Sequence, residues 1–380
     1  MATLRFYLGI LGAFLLIFIG FLMEGGYLAD SLAITAIMIV FGSSFGIAIM
    51  GYGIRGAWSG FKYGLLRVTI PDKRAAESAV GFWDLFGHAA LLSGLMGNSM
   101  GLQHVMSVLD QPKKIGPGIA VAFVPILYGL GFKYLVTDAI TESLTERANA
   151  ADLSLDASSS QPPSRLAYQL MGGLFLAAFM TCSGLIRQGG YLTQVLDLAA
   201  MLIVGVAAAA FTGSVYPIFC KPNWLKMLGF SAGSHITNDE HTQCVKKLNF
   251  FGNTVLATGA LGACLGLLHV LSILDQPALI GPGIAVALLA PIYAAALKLI
   301  TLGMGHAHAE AILDRDTRNG LRQKMKSNLG FWMLLSQILF LLFTLFVVLY
   351  ALKSGGTCDT GQLEKGSEAV QENSQGGGAK

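Results

Sequence analysis

Residues 94–123, GLMGNSMGLQHVMSVLDQPKKIGPGIAVAF, are echoed by residues 259–288, GALGACLGLLHVLSILDQPALIGPGIAVAL. The two stretches are related by one offset of 165 residues without a gap, and at least half of their positions are identical. Upstream, GGYL at 25–28 returns at 189–192. Self-similarity of this kind is typical of a duplicated structural unit. The sequence therefore predicts two copies of one unit in a single chain.

The composition is that of a membrane protein. Of the 380 residues, 54% are apolar and only 12% are charged, too few to cover the surface of a water-soluble globule of this size. Crossing about 30 Å of hydrocarbon takes roughly 20 apolar residues in a helix. Nine runs of this kind predict spans at 5–23, 31–52, 82–109, 115–137, 165–186, 197–219, 250–274, 280–303 and 330–352.

These spans divide into two sets of four and one extra. The predicted fold is all-α, a polytopic membrane helical bundle of two parallel four-helix repeats plus a ninth transmembrane helix. The repeats are parallel because an even number of spans per repeat gives both the same orientation in the membrane. The predicted divisions are a first repeat at 1–147, a polar linker at 148–164, a second repeat at 165–327, the ninth helix at 328–352 and a disordered external tail at 353–380.

Basic residues predict the orientation. Most Lys and Arg residues fall after the second, sixth and eighth spans, and such loops stay in the cytoplasm. The N-terminus is then cytoplasmic and the C-terminal tail external. We interpret the basic residues as topology signals and expect no nucleic-acid partner. The five cysteines show no CxxC spacing, and we expect no metal site and no cofactor.

A tight external hairpin is predicted between the third and fourth spans of each repeat. In the motif LDQPxxIGPGIAVA the Asp favours an Asx turn, the first Pro ends a helix and the second Pro suits the start of the next. The motif residues are Asp110, Pro112, Gly116 and Pro117 in the first copy and Asp275, Pro277, Gly281 and Pro282 in the second.

Small and polar residues on the third and fourth spans are the candidates for facing a pore or a partner helix. The glycines have two interpretations, close packing of helices or the lining of a narrow pore. The two histidines either bond to a loop carbonyl or act as a proton relay or metal ligand. The prolines are expected to kink the fourth spans. The candidates are Gly97, Asn98, Gly101, His104 and Pro125, with Gly262, Ala263, Gly266, His269 and Pro291 in the second copy.

We assign no function to the remaining polar groups. Lys133 and Lys298 end the fourth spans, where snorkelling to the interface accounts for them. The sequence HAHAE at 306–310 is a weak metal-like cluster that we expect to be an interfacial loop. We find no Ser-His-Asp set, P-loop or dinucleotide fingerprint, and we expect no enzyme activity.

The hairpin from Leu265, LGLLHVLSILDQPALIGPGIAVALLAPIYAA, resembles the third and fourth spans of the MotA/TolQ/ExbB proton-channel family, and is most similar to MotA. GGYL resembles the outer turn between the first two helices of that family. The resemblance implies a multi-pass protein of the bacterial inner membrane. It further implies a ring around the single transmembrane helix of a partner chain, whose membrane carboxylate carries the ion.

Some positions depart from the family. Its Thr on the fourth helix aligns with Ile126 and Pro291, and its Thr on the third helix aligns with Asn98 and Ala263. The predicted internal loops, such as 53–81, are also too short for the large cytoplasmic domain of MotA, so we do not expect a flagellar stator.

Two hypotheses about function follow. The leading one is a subunit that surrounds a partner helix and couples proton or sodium flow to work. The alternative is a non-conducting membrane scaffold that retains the ring. With two repeats per chain, the homo-oligomer is either a trimeric pseudo-hexamer or a pentamer that uses one copy per chain for the inner wall. A third possibility is that the ninth span takes the place of the partner helix.

Overall fold

The structure, a computed structural model, describes residues 33–106, 112–150, 166–187, 197–216, 237–272, 277–312 and 314–325, with isolated residues between 7 and 23. All regular structure in these ranges is helical. Six of the described helices are long and apolar enough to cross a membrane. The predicted all-α polytopic bundle is confirmed. Most of the linker, the ninth helix, the tail, and the turns with Asp110 and Asp275 lie outside the described residues.

The described part of the first unit contains isolated helical residues between 7 and 23, which lie in the first predicted span, and three long helices. Helix α1 spans Ile34–Gly64 and α2 spans Lys73–Met106. Helix α3 covers residues 112–150 and includes a π-helical stretch at Phe132–Thr137. Helix α1 contains a break at Gly53, whose φ of 70° lies in the left-handed region that glycine adopts without steric cost.

The second unit contains four described helices. Helix α4 spans Leu166–Arg187, α5 covers residues 198–215, α6 spans Asn238–Ser272 and α7 spans Pro277–Glu310. A short amphipathic helix, α8, follows at Arg315–Met325. Helix α5 ends at Val215, before the end of the predicted span at 197–219. The last three residues of that span are not among the described residues.

The second helix of each unit carries a π-helical stretch at the same place. It covers Met38–Gly42 in α1 and Leu202–Val206 in α5, which start 164 residues apart, as the two GGYL segments do. Because π-helical insertions are rare, their matching positions support our inference that the units are tandem copies.

The two units have the same orientation. Helix α4 runs antiparallel to α1, since Gly42 of α1 meets Met180 and Gly53 meets Gln169. The Tyr52 hydroxyl of α1 lies 3.1 Å from Nδ1 of His306, near the end of α7. The Arg147 guanidinium, near the end of α3, donates to the Tyr63 carbonyl near the end of α1 at 2.9 Å. The fourth helices of both units therefore end on the side where α1 ends, as predicted for parallel repeats.

The predicted internal loops are too long. Arg55 and Lys62 lie within α1, and Lys73 begins α2, so only residues 65–72 connect these helices. Helix α6 likewise begins 12 residues before the predicted span at 250–274. Hydrophobicity marks only the part of a helix inside the membrane, and these helices continue beyond it.

The prolines of the hairpin motif occupy different positions within the helices from those predicted. Pro112 and Pro277 are the first residues of α3 and α7. The backbone N–H of a first helical residue has no acceptor within the helix, so the missing N–H of proline costs no hydrogen bond there. Pro117 and Pro282 lie in the second turn of these helices, and Gly116 and Gly281 precede them.

Candidate functional site

The glycines of α2 pack against α3 within the first unit. A Cβ atom on Gly101 would lie 2.7 Å from the Ala122 Cα, and one on Gly97 would lie 2.9 Å from the Pro125 Cβ. Such distances leave no room for a side chain. The predicted close packing is confirmed here, whereas a pore-facing role for Gly97, Gly101 and Pro125 stays a prediction.

The second unit repeats this packing. A Cβ atom on Gly262 would lie 2.7 Å from the Ala290 Cβ, and one on Gly266 would lie 2.6 Å from the Ala287 Cα. Pro291 is buried one position beyond Ala290. Both α3 and α7 continue through their prolines, and the marked backbone break in a described span lies instead at Gly53. A kink at Pro125 or Pro291 stays a prediction.

Asn98 is a buried amide with no hydrogen-bond partner among the described residues. It has 0% of its surface exposed, and neither its Nδ2 nor its Oδ1 has a hydrogen-bond partner in the described part of the chain. A buried polar group left unsatisfied costs about 1–3 kcal/mol. The equivalent residue in the second unit, Ala263, has no polar side chain and is half-buried. The first unit thus carries a costly polar group that the second lacks.

The two predicted histidines are only partly described. His104 is half-buried, two residues before the described end of α2. His269 lies in α6, but its side chain is outside the described residues. A relay or ligand role for either residue stays a prediction.

Buried hydroxyls connect α1 with α2 at mid-helix. The Ser43 and Ser93 hydroxyl oxygens lie 2.7 Å apart, and the Ser44 Oγ lies 3.4 Å from the Ser93 Oγ. All three side chains are at most 1% exposed. In the second unit the Thr258 Oγ1, at the position of Ser93, lies 3.2 Å from the Val204 carbonyl oxygen of α5 and 3.0–3.1 Å from two carbonyl oxygens of its own helix. Hydroxyl contacts therefore join the second and third helices in both units.

The lysines that end the fourth spans are buried, and the snorkelling interpretation is wrong. Lys133 and Lys298 are each 7% exposed. The Lys298 ammonium donates to the Asn253 Oδ1 of α6 at 2.8 Å, and Lys133 forms an ion pair with Asp138. Hydrogen-bonded partners within the protein replace the interface water that snorkelling would supply.

A cluster of buried charges joins the two units at the side where α1 and α7 end. The Arg318 guanidinium of α8 lies 2.5 Å from the Glu77 carboxylate of α2. Arg322 forms an ion pair with Glu310 and donates to the Glu77 carbonyl at 3.1 Å. The two arginines are 4% and 7% exposed. We call Tyr52, Glu77, His306, Glu310, Arg318 and Arg322 the inner cluster.

Arg322 is at the centre of the inner cluster. Its guanidinium carbon lies 5.7 Å from the Tyr52 ring centre, a cation–π distance. Burial alone lowers the pKa of a guanidinium, but the nearby Tyr52, Glu310 and Glu77 groups raise the pKa of Arg322 above its ordinary value. It therefore stays charged.

The HAHAE segment is helical and buried, so the predicted interfacial loop is wrong. His306 and His308 are 3% and 0% exposed. His308 Nδ1 lies 2.9 Å from His241 Nδ1 of α6. The spacing of the two histidines places one against α1 and the other against α6. Among the described residues, no group of three or more His, Cys, Asp or Glu side chains is arranged to hold a metal ion.

Sequence reasoning does not predict the inner cluster, because charges near span ends are typical of topology signals. A signal was present, since Arg318 and Arg322 are four residues apart and share a helix face with Leu321 and Met325. Apolar and basic residues on one face indicate that this face is buried.

Comparison with known proteins agrees with the hairpin geometry. Residues 65–156, with α2 and α3, and residues 232–318, with α6 and α7, match the model of one protein family. That family is described as the MotA/TolQ/ExbB proton channel family, and the two matched segments are similar to it. Members of the MotA/TolQ/ExbB family are channel-type membrane subunits and not enzymes. The chain is thus a multi-pass membrane protein of a bacterial inner-membrane type.

One curated relative illustrates the MotA/TolQ/ExbB likeness. The Chemotaxis protein PomA of Vibrio alginolyticus is 42% identical over 86 residues, which make up 23% of this chain and 34% of the relative. The match thus spans about a third of the length of that relative. No solved structure matches the chain significantly.

Proposed function

We propose that copies of this chain surround the transmembrane helix of a partner and couple the flow of protons or sodium ions to work. The observation that carries the proposal is that both α2–α3 and α6–α7 hairpins match the model of the MotA/TolQ/ExbB family. Assembly around a partner, the identity of the ion and the work performed are parts of the proposal. The tandem duplication, the predicted domain limits and the cytoplasmic N-terminus and external tail belong to it as well.

The charge distribution favours a partner that supplies the ion-carrying carboxylate. The acidic residues in the described parts of α2 and α3 that lie nearest the membrane core, Asp84 and Asp138, are on the inner halves of these helices. Asp138 is already paired with Lys133. We therefore assign the mid-membrane carboxylate to a single-span partner chain.

Asn98 supports the presence of an ion path in the first unit. It lies at the family's third-helix Thr position, and its amide atoms are unsatisfied in the described structure. An amide can bond to water, to an ion or to a partner's carboxylate. Satisfaction by any of these offsets the cost of burying it.

A non-conducting scaffold is the second candidate. The other family Thr position is occupied by Ile126, which is 7% exposed, and by the buried Pro291. Neither side chain can bond to an ion or to water. A channel with Ile126 and Pro291 at these positions differs from the usual family pattern.

The first experiment identifies the partner. The full chain is purified from its native membrane, and co-purifying chains are identified by mass spectrometry. The proposal expects a single-span chain with an Asp or Glu inside its membrane segment. A complete complex without such a chain would contradict the proposal.

The second experiment measures ion flux through the purified complex in liposomes. Asn98→Leu is expected to lower the flux roughly tenfold, because it removes a polar group from a narrow path. Ser99→Ala is the matched control, since the Ser99 hydroxyl bonds to the Leu95 carbonyl on its own helix at 3.1 Å. Absence of flux with the complete native complex would instead favour the scaffold.

A further inference from the structure

We propose that residues 54–66, at and just after the end of α1, bind the headgroups of anionic phospholipids through one exposed face. We define the basic face as the exposed residues Ile54, Arg55, Trp58, Lys62 and Leu66. The inference does not rest on the proposed function, because neither ion flow nor a partner helix enters the argument.

The basic face follows the backbone break in α1. With φ of 70° and ψ of 170°, Gly53 leaves the helical conformation, so residues 54–64 form a short helical segment of their own. Within this segment Arg55, Trp58 and Lys62 are three and four residues apart, which places them on one side of the helix. The segment therefore presents two cations with an indole ring between them.

The opposite side of this segment packs against the first unit. A Cβ atom on Gly60 would lie 2.7 Å from the Phe82 Cγ, and one on Gly64 would lie 2.7 Å from the Trp83 Cε2. The Trp83 indole also donates to the Gly60 carbonyl at 2.9 Å. These contacts fix the rotation of the segment and keep the basic face on the outside of the described structure.

The two cations of the basic face have no anionic partner in the described structure. Neither Arg55 nor Lys62 forms an ion pair with a residue that the structure describes. Residues 31–71 contain no Asp or Glu. By contrast, Arg67 and Arg147, at the same end of the bundle, hydrogen-bond to groups of the first unit. Arg55 and Lys62 are therefore available to an anion from outside the chain.

The composition of the basic face indicates that it lies in the headgroup region. Ile54, Trp58 and Leu66 are 74%, 67% and 64% exposed, and large apolar surfaces of this kind are unfavourable in water. The charges beside them are unfavourable in hydrocarbon. At a membrane interface both requirements are met, because rings and aliphatic stems reach the acyl chains while charges reach the headgroups.

The positive charge of the face favours anionic over zwitterionic headgroups. The phosphate of phosphatidylglycerol carries an uncompensated negative charge, whereas the choline of phosphatidylcholine neutralises its phosphate. Arg and Lys donate charge-assisted hydrogen bonds to phosphate oxygens. Each basic residue near an anionic membrane surface favours binding about fivefold. Two such residues without an acidic neighbour therefore favour an anionic lipid.

The sequence of the second unit repeats the motif of the basic face. RGAW at 55–58 is matched by KPNW at 221–224, and a lysine follows each Trp, at Lys62 and Lys226. Residues 221–226 lie outside the described residues, so the proposed site is confined to the first unit. The spacing of a basic residue and Trp is nevertheless a feature of both repeats.

A role as topology signals does not account for this arrangement. Retention of a loop during insertion depends on the number of its Lys and Arg residues. It requires neither a shared helix face nor an aromatic neighbour. Contact with headgroups accounts for both features of Arg55, Trp58 and Lys62.

Quenching of tryptophan fluorescence by brominated lipids tests the site. The full chain with Trp224→Phe and Trp332→Phe is reconstituted into vesicles of equal amounts of phosphatidylglycerol and phosphatidylcholine, in which one or the other lipid is brominated. The signal of Trp83, which is 1% exposed, is subtracted by use of the additional variant Trp58→Phe. The ratio of quenching by the two lipids gives the lipid preference at Trp58.

Phosphatidylglycerol is expected to be preferred at Trp58 by roughly twentyfold, since two basic residues contribute. With Arg55→Gln and Lys62→Gln the preference is expected to fall to about one. The matched control is Phe175→Trp in the Trp58→Phe background. Phe175 of α4 is 73% exposed and has no charged residue within four positions, so no lipid preference is expected there.

Three results would overturn the inference. Equal quenching of Trp58 by the two lipids would show that the face has no headgroup preference. Absence of quenching by either lipid would show that protein, from another copy or from another segment of this chain, covers the face. A preference that persists with Arg55→Gln and Lys62→Gln would assign lipid binding to other groups.

Discussion

The α2–α3 and α6–α7 hairpins and the inner cluster are stabilised in different ways. The hairpins are stabilised by glycines that let two helix backbones meet, and the pattern occurs in both units. The inner cluster is stabilised by buried ion pairs at one place, where α7 and α8 meet the first unit. In the first unit Thr141 and Thr145 stand at the positions of His306 and Glu310.

This difference distinguishes repeated contacts from contacts made once. The hairpin packing is a property of each unit, whereas the inner cluster is specific to the junction between the units. We infer that the cluster fixes the order and spacing of two units that would otherwise be interchangeable. Substitutions in the two regions are therefore expected to differ in their effect on stability.

The largest effect is expected from breaking an ion pair of the inner cluster. Glu77→Ala leaves the Arg318 guanidinium buried without its carboxylate, which is expected to lower the free energy of unfolding by about 3–5 kcal/mol. The measurement is thermal unfolding of detergent-solubilised protein by size-exclusion chromatography. The control is Glu142→Ala, because Glu142 is exposed on α3.

A paired replacement sharpens this prediction. Glu77→Leu together with Arg318→Met removes both charges, and stability is expected to return close to that of the original protein. A Glu77→Ala variant as stable as the Glu142→Ala control would show that the cluster does not join the units.

The next effect is expected in a hairpin. Gly101→Leu forces a side chain against Ala122, and overpacking of this kind is expected to cost about 1–3 kcal/mol. Gly172→Leu on α4 is the matched control, since no atom lies within 4 Å of a Cβ placed there. Equal melting temperatures of the two variants would contradict the assignment of Gly101 to close packing.

A smaller effect is expected where a hairpin contains a buried charge. Asn253→Leu removes the acceptor of the Lys298 ammonium and is expected to cost about 1–2 kcal/mol in thermal unfolding. Lys298→Met in the same chain is expected to recover most of the loss. If Asn253→Leu alone changes nothing, Lys298 has another route to solvation.

The smallest effect is expected at the hydroxyl contact between α1 and α2. Ser93→Ala is expected to cost about 0.5–1 kcal/mol, because the Ser43 and Ser44 hydroxyls keep their bonds to carbonyls of α1. Ser183→Ala serves as the control, since that hydroxyl contacts only its own helix among the described bonds. A loss as large as that of Glu77→Ala would contradict the proposed contrast between the two regions.

The sequence predicts the parts of the fold that depend on repeated patterns. The offset of 165 residues and the glycines of the third spans predict two hairpins with close packing, and both are present. Span lengths are underestimated at charged ends, because polar turns such as those with Arg55 and Lys73 continue the same helices.

The junction between the units was not predictable in the same way. The inner cluster brings Glu77 together with Arg318, which is 241 residues away in sequence. No periodicity relates the two residues, and each alone has the appearance of a charge at a membrane border. The burial of Asn98 with no partner in the described part of the chain also depends on how helices pack around it, which a single sequence does not specify.

The central claim is that two like units stand side by side with the same orientation. It is tested directly by labelling single cysteines in intact cells with a membrane-impermeant thiol reagent, in a cysteine-free background. Lys113→Cys and Ala278→Cys, one at each hairpin, are both expected to react from outside, and Lys324→Cys only after permeabilisation. If one hairpin reacts only after permeabilisation while the other reacts from outside, the units are inverted and the account is wrong.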